Sequence, residues 1–497
     1  MIYEMLWEPQ KTAVDFMVAK RRTLLADQPG SGKTLMSLAA LEGSGAFNDG
    51  ITLILAPKFP AKTTWLQGHI EKYVPKHVNI YDLTSGSAEK KNERIESVVA
   101  PAIIVANHDA LSVAPGGKRR VPNLFLPTFT HIVIDESHRV LPTATDQRYQ
   151  YTQFWRGLSL ITLAEKAFRL AVSGTPDRSK LENRYGTLKF LFPEVYKSHQ
   201  HWLATNFNLE ARTIRLPGGR TKDLIIPVSL RAPLEWISRD ALYLIRRTKA
   251  EIQAGRPAKQ YINVILDMNK PQRTAYFDYW REHLASQGTA NPLSPAVYAL
   301  RARQLAITSG WQAEGIGESF SSSKFDWLEE WLEERGYMDP DFVSPQPSKV
   351  VVASSFRATL AWLQRELAKR GVRAEILDGS VKETDRSRIQ AEFQDHDSKL
   401  RVVLLSMTMG VGIDLDAADD MVFFDVPYSS DDAEQVEDRI DRLSRQHRMT
   451  IWWLMSNETI DLAIAETNGD RFKIQRELLD GSRGVEYARQ VLASLRS

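Results

Sequence analysis

The sequence predicts an α/β protein of two tandem lobes, each a parallel β-sheet with helices on both faces, followed by a helical tail. Two patterns carry that reading. Short apolar runs of strand length alternate with longer stretches of mixed polarity, the signature of strands buried on both faces. The pattern then recurs after a region of different character, and 497 residues accommodate two or more domains at roughly 100–200 residues each.

In the first lobe, strands are expected at 23–26 (TLLA), 52–56 (TLILA), 102–107 (AIIVAN), 131–135 (HIVID) and 168–174 (FRLAVSG). The region after them reads differently: 210–226 as a hairpin turning at Pro217, Gly218 and Gly219, 237–252 as a basic helix, and 255–259 as the hinge. Residues 286–295 and 338–348 are loops by composition. The second set of strands is expected at 349–355, 373–379, 401–407, 421–426 and 450–455. Residues 358–371 lie between the first two of these and carry apolar residues at helical spacing. The expected division is lobe one over 1–254, with its hairpin and arm from about 205, lobe two over 255–462, and a polar helical tail over 463–497.

Composition narrows the chemistry. With no cysteine, disulfides, thiolate zinc sites, iron–sulfur clusters and a cysteine nucleophile are excluded. The net charge is +2, from 64 basic and 62 acidic residues, so any nucleic-acid site is a local concentration of Lys and Arg. No apolar run approaches the roughly 18 residues of a membrane span. The opening MIYEMLWEPQ, with Glu4 and Glu8, does not read as a secretory signal.

Residues 27–34, DQPGSGKT, follow the first expected strand and open a helix. That context suits a phosphate-wrapping loop. Gly30 and Gly32 let backbone N–H groups close around phosphate oxygens, and the helix N-terminus adds positive potential. Lys33 is expected at the outer phosphates, and the Thr34 hydroxyl at Mg²⁺. Asp27 stands where the general pattern has glycine. Further on, HIVIDESH (131–138) ends a strand in two carboxylates. Asp135 is expected in the Mg²⁺ shell and Glu136 near the attacking water, the division of labour that phosphoryl transfer needs. One parallel sheet can present both motifs at its carboxyl edge.

These motifs resemble those of the Swi/Snf-like branch of the superfamily-two helicases and translocases. That branch has Asp-Glu-Met-Gly-Leu-Gly-Lys-Thr as its phosphate loop, and DQPGSGKT follows it where the general pattern fails. LWEPQ (6–10) resembles the adenine-reading segment; the Gln10 amide can both donate to and accept from a base edge. Residues 53–65 and 105–111 resemble segments that touch the nucleic-acid backbone. SGTP (173–176) resembles the coupling segment, with Ser173 and Thr175 as the matching residues, and 245–249 with 256–259 resemble the arm that ends the first lobe. In the second lobe, 404–415 resembles the Gly-rich segment, with Gly410, Gly412 and Asp414 at the matching positions. Residues 435–446 resemble the arginine-finger helix, on which Arg439 and Arg442 share one face and would clamp a γ-phosphate presented by the other lobe. The pattern departs at Ser137, Asp441 and Arg445.

The resemblance runs from about Leu6 to Asp461. It implies two RecA-like lobes, ATP and Mg²⁺, and a nucleic-acid-stimulated ATPase acting on DNA. Expected backbone contacts are Lys58, Lys62, Thr63, Arg246, Arg247 and Lys249 in the first lobe and Ser355, Arg357 and Thr408 in the second; such contacts position without reading sequence. The Gly-Gly-basic loops 115–120 and 217–220 read either as solvated turns or as grips on a duplex. The implied function is ATP-driven movement along duplex or branched DNA, as in remodelling or branch migration during replication, recombination or repair. The alternatives are an ATP-gated nucleic-acid clamp without processive movement and an RNA helicase. The small size suggests a monomeric motor of bacterial or phage type, located in the cytoplasm of a bacterial or phage-infected cell and without a membrane partner.

Overall fold

The computed structural model describes residues 1–114, 116–141, 152–177, 181–215, 221–253, 255, 257, 259–286, 295–312, 315–318, 320–338, 348–407, 413–428, 430–442, 445 and 447–466. Two compact units divide between residues 254 and 255.

The first unit holds β1 (Arg22–Leu25), β2 (Ile51–Ala56), β3 (Asn79–Leu83), β4 (Ala102–Asn107), β5 (Thr128–Ile134), β6 (Thr162–Val172), β7 (Phe207–Arg215), β8 (Thr221–Leu230) and β9 (Leu244–Ile245). Seven of these form one all-parallel sheet, in the order β3-β4-β2-β5-β6-β1-β9. Its strands are apolar without interruption because both faces are covered. Along β2, Leu53 and Leu55 join one core cluster and Ile54 and Ala56 the other, since successive side chains leave a strand on opposite sides.

The second unit repeats the scheme. Its strands are β10 (Lys259–Leu266), β11 (Trp311–Gln312), β12 (Gly315–Ile316), β13 (Val350–Ser354), β14 (Ala374–Leu377), β15 (Val402–Ser406), β16 (Asp420–Phe423) and β17 (Met449–Ser456). Six form a parallel sheet, ordered β10-β17-β16-β13-β15-β14. Val350 and Val352 pack to one side and Val351 and Ala353 to the other. The predicted class, two parallel-sheet α/β lobes, is the observed one.

Three places differ from the sequence reading. β3 and β10 lack a strand signal: NIYDL is half-polar, and Lys259, read as the end of a hinge, instead opens β10 beside Met449 of β17. The stretch 237–252 is not one helix. A helix ends at Asp240, the chain extends through β9, and a second helix starts at Lys249. A buried ion pair explains the break: Arg184 binds the Asp177 carboxylate at 2.7 Å and Asp240 at 2.6 Å, and Tyr243 donates to Asp240 as well. Anchored there, the chain runs on beside β1, with Leu244 opposite Leu24. The hairpin is present as the antiparallel pair β7–β8, from Phe207↔Leu230 to Arg215↔Thr221. Its turn, with loop 217–220, lies outside the described residues, as does the tail beyond residue 466. No described helix is long and apolar enough to cross a membrane.

Topology positions the site. β5, β6 and β1 are neighbours and run in one direction. Asp135, Ser173 and the loop from Asp27 therefore leave the same edge of the sheet side by side, where ligands bind in such folds.

Candidate functional site

The loop after β1 turns into the helix Lys33–Gly43, whose cap is Gly32. Gly30 and Gly32 have φ of 76° and 83°, the left-handed region that glycine enters without strain. At Gly32 a Cβ would also stand 2.8 Å from Gln10 Nε2. The first N–H groups of a helix have no intrahelical acceptor, so this start offers donors and a positive dipole end. Lys33 Nζ folds back on the loop, donating to the carbonyls of Asp27 at 2.8 Å and Gln28 at 2.9 Å. Thr34 follows in the first turn, half-buried.

Gln10 is tied into this loop. Its Oε1 accepts from Trp7 N at 3.1 Å and its Nε2 donates to Ser31 O at 3.0 Å. The amide thus braces the phosphate loop with one N–H and one acceptor position still to spend. Asp27, fully buried, binds the Arg247 side chain with both oxygens and also accepts from Arg247 N at 2.8 Å.

Arg246, Arg247 and Lys249, expected at the nucleic-acid backbone, are all engaged within the first unit. Arg247 is spent on Asp27 and on the Pro9 carbonyl. Arg246 donates to Ala26 O at 2.7 Å and Gly174 O at 2.6 Å. Lys249 is buried, and its N–H meets Gln28 Oε1 at 2.9 Å. The three residues brace the phosphate loop from β9 and the turn after it. Replacing Asp27 by Leu strands a guanidinium whose side chain is 14% exposed. Removing one member of a buried pair costs about 3–5 kcal/mol, so Asp27→Leu should lose stability on that scale in urea unfolding. Adding Arg247→Leu should recover part of the loss; two losses that simply add would contradict the pairing.

Asp135 and Glu136 follow β5. Asp135 N donates to Leu55 O at 2.8 Å. Its carboxylate accepts from Trp65 Nε1 at 2.9 Å and Glu136 N at 2.9 Å. His108 Nε2 donates to its carbonyl at 2.9 Å, and burial holds that ring neutral, its pKa lowered to about 4. Burial first and the charge of Glu136 second raise the Asp135 carboxyl above the usual range. Glu136 has φ of 46°, a left-handed conformation unusual for a non-glycine residue, of the strained kind found where geometry serves function.

A relay runs from Glu136 to the strand-end loop after β6. His138 Nδ1 lies 3.3 Å from Glu136 Oε2 and 2.8 Å from Ser173 Oγ, which accepts from Thr175 N at 3.1 Å. His138, Ser173 and Thr175 are all buried. Gly174 sits against the phosphate loop so closely that a Cβ would meet Pro29 Cγ at 2.4 Å. The segment 173–175 thus touches both halves of the site, through Ser173 at His138 and Gly174 at Pro29. Sequence reasoning missed three residues of this frame: Trp65, His108 and His138. Only His138 carried a signal, two places after Glu136.

The remaining first-unit residues are spread along the segment after β2. Lys58 is exposed, Lys62 and Thr63 are half-buried, and Thr63 donates to Phe59 O at 3.0 Å.

In the second unit, Arg442 forms an ion pair with Asp414 and donates to Ile413 O at 3.1 Å. Two residues assigned separately from sequence are therefore partners. Among the described residues of 435–446, the expected single helix does not continue past Glu437. The helix Ser430–Glu437 gives way to tight turns, with Arg439 N bonded to Val436 O and Ile440 N to Glu437 O. Arg439 and Arg442 so do not share a helical face, and Arg439 is 9% exposed. The cause is a buried charge network. Lys259 binds Glu437 at 2.9 Å and Asp441 at 3.2 Å, and Asp441 also pairs with Arg445 at 3.1 Å. The two departures Asp441 and Arg445 are thus each other's partner. Ser355 Oγ accepts from Arg303 at 3.0 Å, and Arg357 pairs with Asp378 at 3.4 Å. Thr408, Gly410 and Gly412 lie outside the described residues.

Residues 9–304 match the SNF2-related domain and residues 324–445 the Helicase conserved C-terminal domain. The ATP-dependent DNA helicase DDM1 of Arabidopsis thaliana is 22% identical over 489 residues, 92% of this chain and 59% of that protein. The chromatin structure-remodeling complex subunit snf21 of Schizosaccharomyces pombe is 21% identical, covering 88% of this chain and 36% of that protein. The ISWI chromatin-remodeling complex ATPase ISW1 of Saccharomyces cerevisiae is 21% identical, covering 93% and 39%. The chain spans less than two thirds of the length of each of these relatives. Among solved structures, the Sulfolobus solfataricus SWI2/SNF2 ATPase core in complex with dsDNA is similar at 18% identity and a TM-score of 0.41, over 96% of this chain and 93% of that one.

Proposed function

The chain belongs to the SNF2-related family, and from that premise we propose that it is an ATP-dependent motor that tracks along duplex DNA. The observation that carries the reading is the convergence, at one sheet edge, of the Lys33 loop, the Asp135–Glu136 pair and the relay through His138 to Ser173. This is the equipment of a phosphoryl-transfer site in which positioning and charge do the work.

A divalent cation fits the donor set. Asp135 is a carboxylate whose pKa is raised by burial first and by the charge of Glu136 second, a state that a bound cation reverses, and Thr34 adds a hydroxyl. Mg²⁺ is commonly held by one or two carboxylates and the substrate's own phosphates. When bound, the ion supplies neutralisation of phosphate charge. The rest falls to the chain. Lys33 exchanges its two carbonyl partners for phosphate oxygens. Backbone N–H groups at the helix start hold the same phosphates. Gln10 offers its spare donor and acceptor to adenine. Glu136 orients the attacking water and receives its proton. His138 positions Glu136 and links it to the segment that reports on nucleic acid.

His138 touches neither substrate nor water in this scheme, so it is a positioning residue. His138→Ala should lower kcat about tenfold to a hundredfold while ATP binds as before, and DNA should accelerate the variant less than the wild type; a modest loss suits a residue acting through another. An altered Kd for ATP with unchanged stimulation would point to a packing role only.

The test of the reading is ATP turnover with duplex, single-stranded, branched and RNA ligands. Stimulation that rises with duplex length supports tracking. Equal stimulation by short and long duplex favours an ATP-gated clamp, and a preference for RNA overturns the assignment of the track. Branch migration is a use that such a motor could serve, since pairing lost on one arm of a junction is regained on another.

A further inference from the structure

The helix Ser430–Glu437 ends two residues before Arg439, so no continuous helical ladder holds Arg439 or Arg442. One bond of helical span remains, Asp441 N to Glu437 O at 2.8 Å. The others are shorter turns: Ile440 N donates to Glu437 O at 3.0 Å and Arg442 N to Ile440 O at 2.9 Å. Turns of that span are weaker restraints than an α-helical ladder. Something outside the segment has to fix it.

That restraint comes from the start of the second unit, which opens at Gly255. Lys259 begins β10, and the whole strand pairs with β17, from Met449 to Ser456, so its backbone is a firm base. The Lys259 ammonium reaches Glu437 at 2.9 Å and Asp441 at 3.2 Å. Those carboxylates stand two places before and two places after Arg439, and Arg442 follows Asp441 directly. One cation thus staples the chain on both sides of Arg439. Tyr261, also on β10, donates to Glu437 at 2.9 Å. Arg445, buried, binds Asp441 at 3.1 Å and the Pro257 carbonyl at 2.9 Å. Two cations meet two carboxylates, the balance that a buried network needs. Burial works against the Lys259 charge, but Glu437 and the other acidic groups around it outweigh that and raise its pKa well above the ordinary value, so it stays charged. On the other side, Arg439 O accepts from Leu415 N at 2.8 Å and Arg442 pairs with Asp414.

We infer that Lys259 is a positioning residue for phosphoryl transfer: through Glu437 and Asp441 it sets where Arg439 and Arg442 stand. The inference rests on the motor reading above, with these arginines supplying transition-state charge, and gives a task to a lysine that the reading leaves without one. Lys259 itself touches neither nucleotide nor water. Its effect passes entirely through the two arginines, and the start of β10 becomes part of the catalytic frame.

The experiment uses the full chain. It measures kcat without DNA and with saturating duplex, beside equilibrium binding of a fluorescent ATP analogue and urea unfolding. Lys259→Met keeps the stem and removes the charge. Its kcat should fall about tenfold to a hundredfold, the loss that a misplacement of about 1 Å brings. The Kd for ATP should stay as in wild type, because the Lys33 loop belongs to the first unit. Lys259→Arg, which can still span both carboxylates, should recover most of the turnover. Lost stability with kcat intact in Lys259→Met overturns the inference and leaves a structural lysine. If Lys259→Met does not fold, Asp441→Asn keeps the shape and weakens one of the two tethers, and it carries the same prediction with a smaller loss. Lys259→Met is then added to the double variant Arg439→Ala, Arg442→Ala. A residue that acts only through the arginines costs nothing further once they are gone, so kcat should equal that of the double variant. A further loss as large as in wild type places the effect elsewhere and overturns the inference. Wild-type turnover in the double variant removes what Lys259 would position and overturns it too. Failure of duplex DNA to stimulate the wild type overturns the motor reading alone, since the positioning is read from kcat without DNA.

Discussion

Glu136→Gln should lower ATP turnover about 10³-fold while ATP stays bound, the loss expected when a general base is removed and nothing else is disturbed. Gln keeps the size of the side chain and can still face His138, whose Nδ1 lies 3.3 Å from Glu136 Oε2. It cannot accept a proton from water. Lys33→Ala should also end turnover, by a different route. Lys33 is the cation of the phosphate loop, and in its absence the carbonyls of Asp27 and Gln28 lose the donor they share. Nucleotide binding should therefore fall with turnover in Lys33→Ala, and persist in Glu136→Gln. Equilibrium binding of a fluorescent ATP analogue beside steady-state turnover separates the two. Normal turnover in Glu136→Gln would remove Glu136 from the chemistry.

Arg439→Ala and Arg442→Ala should each lower kcat by about 10³-fold or more, with the Kd for ATP changed far less, if these guanidiniums stabilise charge on the γ-phosphate in the transition state. The structure sharpens the comparison. Arg442 is held by Asp414 and the Ile413 carbonyl, so a purely structural role would show as lost stability with kcat intact. Asp414→Asn supplies the control. It weakens the hold on Arg442 without removing the guanidinium, and it should leave most of the turnover. Equal kcat in Arg442→Ala and wild type would reduce this arginine to the partner of Asp414.

The fold was largely legible because its strands are buried on both faces. AIIVAN and TLILA contain no residue that a surface strand would need, so each could be placed within a residue or two of β4 and β2. Two edge strands escaped for the opposite reason: β3 carries Asn79, Tyr81 and Asp82, and β9 is two residues long. The phosphate loop and the carboxylate pair were legible because their chemistry demands particular residues at short spacing. The intramolecular partners of the basic arm were not legible because charge alone does not name a partner. Arg247 meets Asp27 across 220 positions of sequence, and that pairing follows from β9 lying beside β1. The same holds for Asp441. As a departure from a pattern it was only an irregularity; in the fold it bridges Lys259 and Arg445. Trp65 and His108 reach Asp135 from two other elements, and nothing local in either segment announces that contact.

Movement along an intact duplex is the feature that separates a motor from a gated clamp and from an unwinding enzyme. It is tested most directly by displacement of a third strand from a triplex placed ahead of the protein on duplex DNA. ATP-dependent displacement is expected, absent in Glu136→Gln, together with poor unwinding of a simple forked duplex. Efficient unwinding of that fork with no triplex displacement would contradict duplex tracking and make strand separation the function.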